Sequence, residues 1–529
     1  MFERAHRRPL LPLLCAASLL CGTVLLPAMV LFPAMGHAQL RGALPDGEPV
    51  EDTGEPIDPA EPEVEVDEDG EVQVDTGLDD EIADDQTEED ADGRLRPSQP
   101  GEARRERARG DVQGRARRAP PVGTARADGS VSTRASESAT AVQAGTRRTD
   151  VPGPYDPVGI RLGPLRVVST VEQSVGVSSN ADFTAGGEGG RFSDTRFALD
   201  AATDLSLHEL RLSIAGAYRA FDTSENLPTL DASAAFRYDV RRGTSVTVGA
   251  GYRLFTESAT DDALLGLART PNGRPLVHEG EAYVEAARTG GRLFGSLRGS
   301  VGRELYEDVE FTDGTRLSQY DREATILNGR LRLGYEHTPA LRPFVEGELG
   351  FRFHDAREDR NGQNRDAWRY ALRAGLDVDL GDKVRGTLAA GLEGADYVSA
   401  NLDDVLGPSV EARLDWSPDA VTRIGVGAQT VFDDSVTAGR SGSLLYRALV
   451  DANRDVRENL ALFASLAVGY QDFDGAREDT TLVAEAGVAW SLNRNAAVMA
   501  RVGYTRVESS AENASYDART ASIGLRLRK

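Results

Sequence analysis

Apolar and polar positions alternate along the chain from about residue 165 to its end. In the stretch 421–432, the apolar positions are Ile424, Val426, Ala428, Thr430 and Phe432, and the polar ones are Arg423, Gly425, Gly427 and Gln429. Because successive side chains of a strand point to opposite faces, this period of two predicts strands with one apolar and one polar face. No helical period of comparable length appears.

Short turn-like segments and longer loops separate these strands in strict alternation. The eight tight turns fall at 207–209, 241–243, 289–291, 338–340, 381–383, 417–419, 457–459 and 493–495. The nine longer loops fall near 180–190, 222–229, 257–275, 305–319, 355–366, 397–408, 433–442, 472–479 and 508–516. Such asymmetry, with an even number of strands, is typical of bacterial outer-membrane barrels. The pattern predicts an all-β fold, a transmembrane antiparallel β-barrel of about 18 strands.

A propeller of four-stranded blades is the competing interpretation, because the turns recur about every 40 residues. A propeller would place several short strand connections in each period. Here each period holds two strands of about 12 to 16 residues, which is longer than blades use and suits a tilted membrane crossing. We therefore favour the barrel.

Aromatic residues of the apolar face gather toward the strand ends. Two such belts are expected where amphipathic rings meet the two lipid–water interfaces. The predicted aromatic girdle comprises Tyr218, Tyr252, Trp368, Tyr370, Trp416, Tyr470, Trp490 and Tyr504.

The opposite face carries many charges of both signs. Burying so many ions in a dry core would cost several kcal/mol each, whereas eighteen strands enclose water that keeps charges solvated. The predicted lumen-facing residues are Arg219, Arg253, Arg332, Arg373, Arg385, Arg423, Glu346, Glu348, Glu393 and Glu485. Each arginine either selects solutes or pairs with a neighbouring acid, and the sequence leaves both roles open.

The first 150 residues differ in composition from the rest. Residues 1–38 combine a positive start, a long apolar run and small residues before Gln39, which predicts a signal peptide. Residues 39–150 predict a disordered segment that is first acidic and then basic. It has 23 acidic and no basic residues between Asp46 and Asp92, then 13 arginines against 5 acids between Arg94 and Arg148. This segment is a solvated linker or a site for a periplasmic partner. Residues 151–529 are predicted to form the barrel.

Composition narrows the range of functions further. The chain has 529 residues, a formal charge of −25 and two cysteines, both within the first 25 residues. The remainder can hold no disulfide framework and no thiolate metal site. The acidic balance also argues against nucleic-acid binding.

The start of the repeating region resembles a known family. Pro154-Tyr155-Asp156-Pro157-Val158-Gly159-Ile160-Arg161-Leu162-Gly163, followed by Glu172-Gln173-Ser174-Val175-Gly176 and Asn180, is similar to the opening of the outer-membrane β-barrel porin family of type 2. The resemblance implies a barrel over about 155–529 and no established catalytic residues. Some family members are associated with exopolysaccharide export. One departure is the final Lys529, where outer-membrane barrels usually end on an aromatic residue.

Candidate catalytic groups are sparse. His354-Asp355 lies near a long-loop rim, but no serine can be placed beside it, and such a pair is usually a surface pair. Acidic loop pairs such as Asp261-Asp262 lack calcium-loop spacing. We therefore expect no enzyme activity, no cofactor and no metal.

The sequence favours a porin that passes small polar solutes by passive diffusion, with one of the loops 257–275 or 305–319 folding inward. An exopolysaccharide export component and a non-transporting structural barrel remain the alternatives. The expected location is the bacterial outer membrane, with the N-terminal arm in the periplasm. The expected partners are outer-membrane lipid, lipopolysaccharide and the barrel-assembly machinery.

Overall fold

A computed structural model describes residues 154–529 except 204, 206–207, 259–260, 262, 265–266, 268–270, 436–439 and 474–476. The expected signal peptide (1–38) and charged segment (39–150) lie outside the described residues. No described helix is long and apolar enough to span a bilayer.

Eighteen long strands make up nearly all of the described chain, and their bounds are as follows. They are β2 (Leu165–Ser178), β3 (Gly190–Thr203), β4 (His208–Phe221), β5 (Leu227–Arg241), β6 (Thr244–Thr256), β7 (Leu276–Arg288), β8 (Leu293–Tyr306), β11 (Ala324–Tyr335), β12 (Leu341–His354), β13 (Ala367–Asp379), β14 (Val384–Tyr397), β15 (Val405–Trp416), β16 (Thr422–Asp433), β17 (Ser443–Arg457), β18 (Leu460–Phe473), β19 (Arg477–Ser491), β20 (Ala496–Ser509) and β21 (Tyr516–Arg528). Three short strands and a 3₁₀ turn complete the described elements: β1 (Ile160–Leu162), β9 (Val309–Glu310), β10 (Arg316–Leu317) and Tyr320–Arg322.

The long strands form a closed antiparallel ring. Each pairs with its neighbours in chain order, with β8 next to β11 because β9 and β10 form a separate hairpin. The last strand, β21, pairs with β2 from Thr170↔Arg528 to Ser178↔Thr520 and so closes the sheet. The predicted all-β barrel of about 18 strands is therefore confirmed.

Closure gives the sheet an outer and an inner face that alternate along each strand. On β13, Leu372 is 63% exposed on the outer face, whereas the next residue, Arg373, is buried on the inner face. Inner side chains meet across intervening strands. Arg352 of β12 contacts Glu304 of β8 past β11, and Arg373 contacts Ser409 of β15 past β14. The apolar positions of the alternation therefore lie mostly outside and the charged positions inside.

The two ends of the ring differ as the sequence predicts. At one end the connections are short, and two of them, 242–243 and 458–459, have only two residues. In the first, Gly243 takes a φ of 73° that disfavours other residues. At the other end most connections are long, notably 257–275 and 307–323. The prediction of a longer loop at 472–479 is wrong, because β18 continues to Phe473 and β19 starts at Arg477.

The buried apolar clusters lie at the long-loop end, except for the pair Ala467 and Val483 in the middle of β18 and β19. One groups Phe183, Leu227, Val507, Tyr516 and Ala518. Another groups Leu264, Val309 and Phe311, and it joins the loops 257–275 and 307–323. The middle of the ring is held by strand pairing and by polar side chains of its inner face.

Two adjacent residues of β5 provide a matched test of the two faces. Ala234 and Ser233 are both exposed, but Ala234 lies on the outer face and Ser233 on the inner one. Because charge on a lipid-facing position is costly, Ala234→Arg should lower the free energy of unfolding in lipid vesicles by about 2–4 kcal/mol. Ser233→Arg should leave it nearly unchanged, and equal effects of the two would contradict the assigned faces.

Candidate functional site in the barrel lumen

A cluster of three arginines and three glutamates occupies the inner face of β11–β14. The strand register sets Arg330 opposite Glu348 and Arg332 opposite Glu346, and Glu346 in turn lies opposite Arg373. Oppositely charged residues directly across a strand pair stabilise the sheet. The alternating sequences Arg-Leu-Arg of β11 and Glu-Gly-Glu of β12 thus become an ion-pair ladder once the register is set.

Arg373 is the centre of this cluster, and its side chain is fully buried. Its Nη2 donates to Glu393 Oε2 (2.6 Å), and its Nη1 donates to Glu348 (3.1 Å) and Glu346 (3.3 Å). Its Nε donates to Ser409 Oγ (2.7 Å), and that hydroxyl donates to Glu393 (2.9 Å). Every nitrogen of the guanidinium therefore has an acceptor.

A second cluster lies across the ring, on β2–β4 and β19–β21. Glu172 accepts two hydrogen bonds from Arg501 and one from Arg526 Nε (2.8 Å). Asp194 pairs with Arg196 (2.7 Å) and Arg219 (3.0 Å). Glu172 lies opposite Arg526 in the β2–β21 pair that closes the barrel. The cluster therefore ties the first long strand to the last.

Seven of the ten predicted lumen residues belong to these two clusters, and three lie elsewhere on the inner face. The first cluster holds Arg332, Arg373, Glu346, Glu348 and Glu393. The second holds Arg219, and Glu485 lies 3.7 Å from its Arg501. Three others lie apart on the inner face: Arg253 pairs with Asp231 (3.0 Å), Arg385 donates to Asp379 (2.9 Å) near a tight turn, and Arg423 lies opposite Asn453.

The sequence reasoning missed Glu172, Asp194, Arg501 and Ser409. Each sits on the polar side of the alternation, so its face was readable. Most of the partners were not, because Glu172 and Arg501 come from opposite ends of the barrel sequence and Ser409 reaches Arg373 past β14. The pair of Asp194 with Arg196 is local, two residues apart on one strand.

The predicted girdle aromatics all lie on the outer-face side of the alternation. Tyr218, Tyr252, Trp368 and Tyr470 are exposed toward the long-loop end, and Trp416 and Trp490 are exposed toward the tight-turn end. Tyr370 and Tyr504 are partly covered. Two of these rings bind polar neighbours: Tyr370 donates to Asp396, and Tyr252 Oη lies 2.8 Å from His278 Nδ1.

The end of the β16–β17 hairpin packs inside the ring, against the inner face of β13–β14. We call residues 430–435 and 440–446 the hairpin tip. Phe432 and Leu444 continue the outer-face alternation, yet they pack with the inner-face residues Ala367, Ala395 and Tyr397. The sequence assigned Phe432 to the same apolar face as Val426. Because the tip turns inward, Phe432 is buried inside the ring whereas Val426 is exposed on the outer face.

Polar contacts also hold the hairpin tip to the inner wall. Asp434 Oδ2 lies 2.7 Å from Arg352 Nε, and Asp434 Oδ1 accepts from Tyr397 Oη (3.1 Å). Tyr397 Oη in turn accepts the N–H of Gly442 (2.8 Å), and Arg369 donates to the carbonyl of Phe432 (3.3 Å). Burial alone would raise the pKa of Asp434, but Arg352, Arg369 and His354 hold that pKa below its usual range.

The loops that the sequence singled out pack on one another at the long-loop end. Arg322 is buried there against Glu257 (2.6 Å) and over the Tyr306 ring (4.0 Å). Burial by itself would lower the pKa of Arg322, but Glu257 and Asp261 raise it above its ordinary value. Among the described residues, the hairpin tip and Leu402 pack on the inner wall of β13–β14.

His354 and Asp355 do not form the pair suggested by their adjacency. The backbone N–H of His354 donates to Asp366 (2.8 Å), and its Nδ1 lies 3.5 Å from the same carboxylate. Asp355 instead binds Arg303. His354 is the last residue of β12 and Asp355 the first beyond it, and successive residues of extended chain point to opposite sides, which explains the separation.

A family model described as "Putative beta-barrel porin 2" matches residues 153–529. The chain belongs to this porin family. The resemblance read from residues 154–180 is thereby confirmed, and the chain has the outer-membrane type of β-barrel. A search of curated proteins found no match.

Solved structures similar to this porin-family chain include two receptors. A variant of the ferric enterobactin receptor from Pseudomonas aeruginosa is 8% identical, with a TM-score of 0.34, covering 72% of this chain and 84% of the receptor. A siderophore receptor from Acinetobacter baumannii is 10% identical, with a TM-score of 0.36, covering 70% of this chain and 82% of the receptor. The fold of the porin-family chain is established by its own strand pairing.

Removing the central arginine of the first cluster should be costly. Arg373→Met leaves the buried Glu346 and Glu393 and the partly buried Glu348 with two arginines, so we expect the free energy of unfolding to fall by about 3–5 kcal/mol. Arg211→Met is the control, because its pair with Glu209 is partly exposed, and it should cost below about 1 kcal/mol. Urea unfolding of the refolded barrel measures both, and a small effect at Arg373 would contradict the assigned network.

The lowered pKa of Asp434 makes the docking of the hairpin tip depend on pH. A carboxylate with a depressed folded-state pKa contributes stability that is fully present above its ordinary pKa of about 3.9 and is lost as pH falls through the folded value. Asp434→Asn should therefore be less stable than the wild type near pH 6, and the difference should shrink below about pH 4. A constant difference across that range would contradict the assigned Arg352–Asp434 interaction.

Proposed function

We propose that the chain forms a water-filled pore in the outer membrane for passive diffusion of small polar solutes. The observation that carries this proposal is the closed ring of eighteen strands with charged side chains of both signs on its inner face. Barrels of 16–18 strands leave an aqueous channel, whereas eight-stranded barrels are filled by their own side chains.

The inner face of β4–β6 supports an open path beside the two buried clusters. The Asp231 side chain is 56% exposed there, although it faces inward and pairs with Arg253. The pairs Glu209–Arg211 and Arg237–Asp239 on the same face are also partly exposed. Polar solutes would pass along these hydrated side chains.

Pairing of the inner charges supports weak ion selectivity. Arginines and carboxylates neutralise one another within each cluster, so neither sign dominates the wall. Rings of a single charge are what give a pore strong selectivity for cations or anions. We therefore expect cations and anions to permeate at similar rates.

The outer surface supports the placement of the pore in the bilayer. Exposed apolar side chains such as Leu372 and Val502 would face lipid. The aromatic side chains at both ends of the strands would lie at the two lipid–water interfaces. In this arrangement the tight turns and the N-terminal arm face the periplasm, and the long loops meet lipopolysaccharide. Insertion would use the barrel-assembly machinery. No residue is assigned a catalytic, cofactor or metal role.

Single-channel recording of refolded residues 39–529 in planar bilayers tests this function. Discrete conductance steps with a cation-to-anion permeability ratio of about one are expected from the paired inner charges. Swelling of proteoliposomes in sugars of increasing size would then bound the width of the pore.

Heat-modifiable gel migration provides the control, because it reports whether the barrel has folded. A folded barrel that gives no conductance and no swelling would overturn the diffusion function. A strongly charge-selective pore would contradict the neutral wall while leaving the pore itself in place.

A further inference from the structure

The ladder between β15 and β16 stops halfway up the barrel wall. These strands pair only from Trp416↔Ile424 to Glu411↔Gln429. On either side the ladders continue to the long-loop end, since β14 pairs with β15 up to Ala395↔Val405 and β16 pairs with β17 up to Asp433↔Ser443. The upper edge of β15, residues 405–410, therefore has no backbone ladder with β16.

Pro408 accounts for the position of this break. The N–H of Val410 donates to Thr430 Oγ1 (2.9 Å), so it points toward β16 and is bonded by a side chain instead of the backbone. Alternate N–H groups of a strand point the same way, and the next one toward β16 would belong to Pro408. Proline has no N–H and is confined to sheet edges or interruptions.

The hairpin tip turns inward where the ladder ends. A β-carbon added at Gly407 would lie 2.6 Å from Leu444 Cδ1 and 3.1 Å from Tyr446 Oη. Side chains from the outer-face side of β17 thus contact β15 at a glycine, where the lack of a side chain allows the close approach. Asp434 reaches Arg352 of β12, which lies four strands away from β16 along the wall.

We propose that the hairpin tip is the constriction that sets the width of the pore, and that Pro408 keeps it out of the wall. This inference rests on the proposed diffusion function. Gly407 and Pro408 of β15, by allowing the hairpin tip to lie in the lumen, then determine the size of the largest solute that can pass. Phe432 and Asp434 hold the tip against the inner wall.

A disulfide reports the position of the hairpin tip without relying on transport. The chain from residue 39 has no cysteine, so Gly407→Cys with Leu444→Cys introduces the only pair. Copper–phenanthroline oxidation should crosslink this pair efficiently in the folded barrel, because the two side chains meet when the tip is docked. Reduction with dithiothreitol provides the matched uncrosslinked sample.

Two substitutions, each added to the double-cysteine variant, should release the hairpin tip. Pro408→Ala restores a donor toward β16, and Phe432→Ala removes the ring packed on Ala395 and Tyr397. Each should lower the crosslinking yield and raise the single-channel conductance of the reduced protein by about twofold, because conductance follows the open width of the lumen. Oxidation should return the crosslinked fraction to the wild-type conductance. Val426→Ala, an exposed outer-face change in the same hairpin, should alter neither readout.

The outcomes separate this inference from the diffusion function. Lower crosslinking with unchanged conductance would overturn the constriction, and unchanged crosslinking in Pro408→Ala would overturn the role of that proline. If all folded variants including wild type failed to conduct, the diffusion function and the constriction built on it would fall. The crosslinking yield would still report the position of the hairpin tip.

Discussion

Every backbone N–H and C=O group that crosses a bilayer needs a partner within the protein, because hydrocarbon offers none. In a sheet, this requirement is met throughout only when the first and last strands pair. Here β21 meets β2 over nine residue pairs, and Glu172 lies opposite Arg526 at that junction. The two faces, the enclosed lumen and the separation of turns from loops all depend on this closure.

Closure also determines how the charges of the chain can be used. An inward-facing arginine on a flat sheet would meet water, but inside a ring it meets side chains from other strands. Arg373 thereby gathers three glutamates, and Glu172 gathers two arginines. Desolvation makes such groups expensive unless they are paired, so the pairing explains how a buried wall can consist of ions. The charges near Asp231 lie outside these clusters and are less buried.

Much of the fold could be predicted from the sequence, because period-two alternation and turn spacing are local signals. They were sufficient for the strand number, the inward face of Arg373, and the end at which loops are long. The partners of each charge could not be predicted, since they depend on a register that alternation alone does not specify. The loop near 472–479 was also misjudged, because Gln471, Asp479 and their neighbours are polar yet remain in strands.

The inward hairpin tip was missed for a different reason. Its residues Phe432 and Leu444 keep the apolar alternation of a lipid-facing strand, so nothing in their own pattern indicates that they lie inside. The available signal was Pro408, a residue that central strands avoid, located on the neighbouring strand. The sequence does not show whether the missing N–H of Pro408 would point toward β14 or toward β16, so the position of the break could not be predicted from it.

The central claim is that alternate residues of each strand line an aqueous lumen and face lipid. Single cysteines placed along β5 test it most directly, with a charged, membrane-impermeant maleimide applied to the barrel in proteoliposomes. The account predicts labelling at 229, 231, 233, 235 and 237 and protection at 230, 232, 234 and 236, because only the first set faces water. Labelling without a period of two, or labelling of the second set alone, would contradict it.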